Sequence, residues 1–342
     1  MPSETIEVRS SYVTAERVYV EFRNSLLMSD HSVDKGGTGK GPSPGDMMLA
    51  ALTASGVLAA RRRAVEAGAP LQAVRAAANG RYDRETIDGP MPGLTFAGEV
   101  RQRVELFGAP SGQVAILRAA LEECAVAQTL RAGVDLDEKV VLRRSGRPRM
   151  AGARNEVLWA GDAALAQLPK GLTVSGPAAQ RWAAVATDAG PDHALVDVAG
   201  AMIGVNRLAG APGGPSPFEL LAAALSTCTA IFVARNAGFY GIPVEGVEVT
   251  VRLEADASQD QSVRRMTKTA VLRGDLTDAE FQQCKFFADF CAIGNSLKRG
   301  MPIVSDLSVE EADAGRSTII GGLREVAPPT GADCVDGTCC IP

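Results

Sequence analysis

The sequence predicts an α+β fold in which two copies of one unit are fused end to end and pair as an intramolecular pseudo-dimer with buried central helices. Three observations carry this. Gly41-Pro-Ser-Pro-Gly-Asp and Gly214-Pro-Ser-Pro-Phe-Glu each open an apolar, alanine-rich run, and the runs reach Ser55 and Cys228, which stand 173 residues apart. Cys124-Ala-Val-Ala-Gln-Thr-Leu is matched by Cys291-Ala-Ile-Gly-Asn-Ser-Leu at a spacing of 167. A period this long is a domain rather than a solenoid unit.

Each copy opens on strand-like segments with alternating or β-branched residues, at 5–8, 17–23 and 24–28 in the first and at 182–187 and 194–198 in the second. The shared motif then starts a helix. Ser216 reads as its N-cap, Pro217 as the first helical residue and Glu219 as the third member of a capping box, an arrangement that Ser43, Pro44 and Asp46 repeat. The helix predicted over 217–238 is apolar on every face, which is the mark of burial on all sides, and the helix predicted over 44–68 opens on small residues that let the other pack closely against it. Strands follow at 94–106, 247–253 and 266–272, then a second helix at 111–127 and 277–288, and a closing strand at 139–142 and 303–309. Residues 82–92 are turn-rich and read as an insert of the first copy. The expected organisation is a first unit over 1–145, a linker over 146–175, a second unit over 176–311 and a flexible, cysteine-bearing tail over 312–342.

Composition narrows the class. With 46% hydrophobic and 22% charged residues the chain is an ordinary soluble globular protein. A net charge of −5 argues against a nucleic-acid partner. The apolar stretch from Leu220 to Ala234 is too short and too interrupted by hydroxyls for a membrane span, and the N-terminus has no signal pattern. A cytoplasmic location without a membrane partner is expected, so the seven cysteines read as reactive, metal-binding or buried thiols rather than a disulfide framework.

The two motifs together resemble the OsmC/Ohr family (osmotically inducible protein C and organic hydroperoxide resistance protein) over about 30–145 and 190–310. The resemblance implies an α+β intertwined dimer, here fused into one chain. It also implies thiol peroxidase chemistry on a small-molecule substrate, with Cys228 attacking a hydroperoxide, Cys291 resolving the sulfenic acid as a disulfide, and a dithiol reductant restoring both. No cofactor is expected. The first copy departs from the pattern, since Ser55 stands where the second has Cys228. The second departs from it too, because 183–193 holds no arginine to assist the thiol, which leaves Arg17 or Arg207 to act across the pair.

Other readings stay open at this stage. Cys228 in an apolar helix is also what an inert core thiol looks like. Glu219 lies nine residues before Cys228, on the opposite face of a regular helix, so it acts as a cap, as a catalytic acid across the interface, or as both. Cys284 reads as packing. Ser55 lacks a neighbouring base, and His31 and His193 form no triad motif. Cys334, Cys339 and Cys340 crowd the last nine residues, where Cys339 and Cys340 would relay thiol chemistry to Cys228. Alternatively they make the protein a soft metal(loid) binder, a sulfur carrier or an enzyme acting on a sulfur-containing small molecule.

Overall fold

The computed structural model describes residues 3–14, 17–22, 25–31, 37–69, 71–85, 94–109, 113–143, 181–198, 201–209, 214–256, 261–301, 303–310 and 317–320. In the first repeat these form β1 (Ser3–Thr14), β2 (Arg17–Phe22), β3 (Ser25–Ser29), α1 (Pro44–Glu66), β4 (Ala73–Glu85), β5 (Leu94–Phe107), α2 (Val114–Glu122), α3 (Ala125–Ala132) and β6 (Asp135–Arg143). The second repeat gives β7 (Arg181–Gly190), β8 (His193–Val198), β9 (Ala201–Asn206), α4 (Pro217–Phe239), β10 (Gly246–Asp256), β11 (Arg265–Arg273), α5 (Asp278–Asp289), α6 (Ala292–Arg299) and β12 (Ile303–Glu310). A last strand, β13 (Ser317–Ile320), follows.

The repeats interleave. One sheet runs β3-β2-β1-β10-β11-β6 and the other β9-β8-β7-β4-β5-β12-β13. In each, three opening strands and the closing strand of one repeat enclose the central hairpin of the other. The β1–β10 and β7–β4 pairings are antiparallel, while β6 on β11 and β12 on β5 are parallel. Each sheet therefore contains strands of both repeats, and α1 and α4 pack against each other between the two sheets.

Both long helices start as the sequence predicts. The Ser43 and Ser216 hydroxyls accept from the N–H groups of Asp46 and Glu219, whose carboxylates accept the N-cap N–H groups in return. In α4 the core-facing residues leave no polar stripe, and burying Leu220, Leu221 and Leu225 stabilises the fold by about 1.5–3 kcal/mol apiece. Helix α4 runs longer than the apolar stretch read from the sequence. Its 23 residues have the length and hydropathy of a membrane span, yet 89% of the apolar window is buried inside the fold, as befits a core helix.

A pseudo-two-fold relation shows in reciprocal bonds. Val134 N–H donates to the Leu297 carbonyl at 2.8 Å, and Met301 N–H donates to the Leu130 carbonyl at 2.8 Å. Gly133 and Gly300 adopt φ of 73° and 71° beside this crossing, and a Cβ on Gly300 would sit 2.4 Å from the Arg131 carbonyl oxygen. No side chain is compatible with that approach.

The predicted second helix of the first copy differs from what forms. The span 111–127 is broken at Cys124 into α2 and α3, whereas the span 277–288 forms as α5 and a further short helix, α6, follows it after Cys291. Strands β4 and β9 were not anticipated. Residues 82–85, assigned to an insert, belong to β4, and 86–93 lie outside the described residues. The segment expected to be a flexible tail contains β13, which pairs antiparallel with β12, and its other residues lie outside the described ones. The expected linker over 146–175 lies wholly outside the described residues.

Candidate active site

The break between α5 and α6 brings Cys291 onto α4. Cys291 is the N-cap of α6, and its sulfur accepts from Gly294 N–H at 3.3 Å. Thr229 on α4 meets the same sulfur at 3.2 Å, and the Cys228 side chain is hydrogen-bonded to it. Ile293 N–H, at the start of α6, points to the Cys228 sulfur at 3.5 Å. Two thiols 63 residues apart in sequence are thus packed together, and neither is in a disulfide. Cys291 has no exposed area, whereas Cys228 is 9% exposed and is the more accessible residue of the two.

A buried lysine sets the electrostatics. Lys268 lies on the inward face of β11 between Met266 and Ala270, with no exposed area. Its ammonium donates to the Ala288 carbonyl at 2.5 Å and pairs with Glu138. Glu138 belongs to β6 of the other repeat and also binds Lys298 at 2.9 Å. Burial alone pushes the Cys291 thiol up. The bonds from Cys228, Thr229 and Gly294 and the charge of Lys268 outweigh it and hold the thiol below its usual range, to about 6. Lys268 answers in kind: burial lowers its pKa, but the charges of Cys291, Glu138 and Asp289 raise it overall, so the ammonium form is the stable one. Sequence reasoning missed this lysine. The signal was a cation at an inward, period-two position of an apolar strand.

The first repeat has lost this environment group by group. Cys124 donates to Ser55 at 3.1 Å, and burial pushes its thiol up. The strand register places Gln102 where the second repeat has Lys268, and Ser305 where it has Glu138. Gly56 stands in the place of Thr229 and Ala127 in that of Gly294. Gln102 occupies the room that Gly56 leaves, since a Cβ there would lie 2.9 Å from its amide nitrogen.

Glu219 is 1% exposed and closes the capping box with Ser216 at 2.7 Å. Its neighbours Pro217 and Phe218 line a cavity that also contains Ser55, as does Arg207, whose Nε binds Asp192 at 2.6 Å. The arginine looked for near Cys228 thus reaches the other half of the pair, and the cation beside the dithiol is Lys268. Cys284 is fully buried, and burial together with Glu280 raises it to about 11, which suits a packing role. Cys334, Cys339 and Cys340 lie outside the described residues.

Two fused α+β repeats sharing interleaved sheets, with a cysteine on the central helix and another at the head of the following short helix, define a class. The family model for the OsmC-like protein matches residues 37–139 and 210–306. The chain belongs to that family, in a tandem two-repeat form. No curated protein matches the chain.

Proposed function

We propose that the chain is a thiol-dependent peroxidase that reduces organic hydroperoxides at Cys228 and Cys291. The observation that carries this reading is the hydrogen-bonded pair of reduced thiols beside a fully buried lysine. A cation in a desolvated setting favours one negative charge on the pair, and a thiolate near neutral pH is the nucleophile such chemistry needs.

The charge rests at Cys291 in the reduced pair and passes to Cys228 as a proton moves the other way along their hydrogen bond. The Cys228 thiolate attacks one peroxide oxygen. The O–O bond breaks, the alkoxide leaves and takes a proton to become the alcohol, and Cys228 becomes a sulfenic acid. The Cys291 sulfur then attacks Cys228, the S–O bond breaks, hydroxide leaves as water, and a disulfide forms. An external dithiol reverses the disulfide by two exchange steps, so two electrons pass from the dithiol to the hydroperoxide.

Aromatic side chains support an organic substrate. Phe232 is one turn from Cys228, Phe290 adjoins Cys291, and Phe286, Phe287 and Tyr240 extend the cluster. Phe239 and Tyr240 reach the surface at 68% and 42% exposure. The corresponding residues of the thiol-poor repeat include Ala59, Ala119, Glu123, Glu66 and Ala67, so the shared fold does not require these rings.

The test is turnover of cumene hydroperoxide and of hydrogen peroxide with a small dithiol as reductant. The expected result is a kcat/KM at least about tenfold higher for the organic peroxide, abolished in Cys228→Ser. Absence of dithiol-dependent turnover in the intact chain, or full activity in Cys228→Ser, would overturn the reading.

A further inference from the structure

The half of the molecule that lost its thiol kept a cavity of about 240 Å3, the room of roughly eight waters. Ser55 and Val126 line its interior, Leu58 and Phe218 give it apolar walls, and Arg63 and Arg207 bring it positive charge. Two substitutions between the repeats explain why it is open. Ala59 stands where the second repeat has Phe232, and Glu123 where it has Phe290, so neither of those rings fills the space they line.

The lining also differs in charge from that of the second repeat. Arg63 occupies the position of Asn236 in the second repeat, and Arg207 reaches the same cavity from that repeat. Arg62 also lines it. The guanidiniums already have acidic partners: Arg63 binds Glu123 at 2.6 Å and Glu66 at 3.2 Å, Arg62 lies 3.4 Å from Glu66, and Arg207 binds Asp192 at 2.6 Å. Arg63 is the most exposed of the three arginines at 36% and Glu123 the most exposed of the acids at 58%, and ion pairs so wet are weak. A carboxylate whose apolar body is desolvated in the cavity competes for the same planar forks, which receive it through two parallel hydrogen bonds.

We propose that the Ser55 cavity is a binding site for a small organic monocarboxylate, its apolar body against Leu58, Val126 and Phe218 and its head at Arg63 and Arg207. The site needs no thiol and stands whether or not the peroxidase reading does.

The experiment is calorimetric titration of the full chain carrying Cys228→Ser, with benzoate as the probe and benzyl alcohol and benzylamine as controls. The expected result is saturable one-to-one binding of benzoate, at least tenfold tighter than either control. Ala59→Phe installs the ring that the second repeat carries, and Arg63→Asn installs that repeat's side chain. Each should weaken benzoate at least tenfold while circular dichroism and the melting temperature stay unchanged. Should either variant fail to fold, the other decides. No saturable binding of benzoate, equal binding of benzyl alcohol, or unchanged affinity in a folded Ala59→Phe chain would overturn the proposal.

Discussion

Lys268 of the second repeat is ion-paired with Glu138 of the first, and the Cys291 thiol lies within the field of that lysine. The electrostatics of the dithiol therefore depend on both repeats. Parallel pairing of β6 on β11 sets Glu138 directly opposite Lys268, so the acid reaches the cation only because the sheets interleave.

Replacing that cation should disable the dithiol without unfolding the chain. Lys268→Gln installs the residue that the first repeat tolerates at the matching position, Gln102. Thiol ionisation should shift upward, and the alkylation rate at pH 7 should fall about tenfold or more. The check is the pH profile of iodoacetamide labelling. An unchanged profile would show that Lys268 does not hold the thiolate.

Stability should follow the same ionisation. Cys291 loses its proton in the folded chain at a pH where an unfolded thiol, with a pKa of about 8.5, still holds its own. The folded value is the depressed one, so the thiolate's contribution is fully present above about 8.5 and is lost as pH falls through about 6. The difference in Tm between the reduced parent chain and Cys291→Ala should widen as pH rises across that window. A constant difference would contradict a lowered Cys291 pKa.

Gly294 gives the Cys291 sulfur its room. A Cβ at this position would lie 3.1 Å from Cys291 Sγ and 3.6 Å from Leu225. Gly294→Ala should displace the sulfur from Cys228 and slow disulfide closure severalfold, with little change in overall stability. Stopped-flow measurement of sulfenic acid lifetime checks this, and an unaltered lifetime would show that the sulfur moves freely.

Much of this was legible in the chain. The paired Pro-Ser-Pro openings declared the repeat, the serine caps declared the helix starts, and apolar residues on every face of 217–238 declared its burial. Interleaving was less accessible, because local alternation shows that a strand forms and not which strand it pairs with. Lys268 was hidden for a related reason. A lysine in a strand ordinarily faces water, and only its pairing with Glu138, 130 residues earlier, explains its burial. The break at Cys124 escaped notice because helix-compatible residues flank it and its side chain makes no cap bond, and α6 escaped because cysteine is not among the usual N-cap residues, although Cys291 caps it.

The first repeat's loss of chemistry should be collective. Ser55→Cys alone restores one sulfur beside Cys124 but neither the cation nor the hydroxyl, since Gln102 and Gly56 remain. Turnover per chain should stay unchanged in this variant when a small dithiol is the reductant. A doubled rate would show that the site lacked only its thiol.

Mapping the disulfide formed with one equivalent of cumene hydroperoxide tests the central claim most directly. Mass spectrometry of the non-reduced digest should find Cys228 joined to Cys291, with Cys124 and Cys284 still alkylatable after denaturation. In Cys291→Ser, Cys228 should be trapped as a sulfenic acid. A bond from Cys228 to any other cysteine, or oxidation that leaves Cys228 a free thiol, would contradict the account.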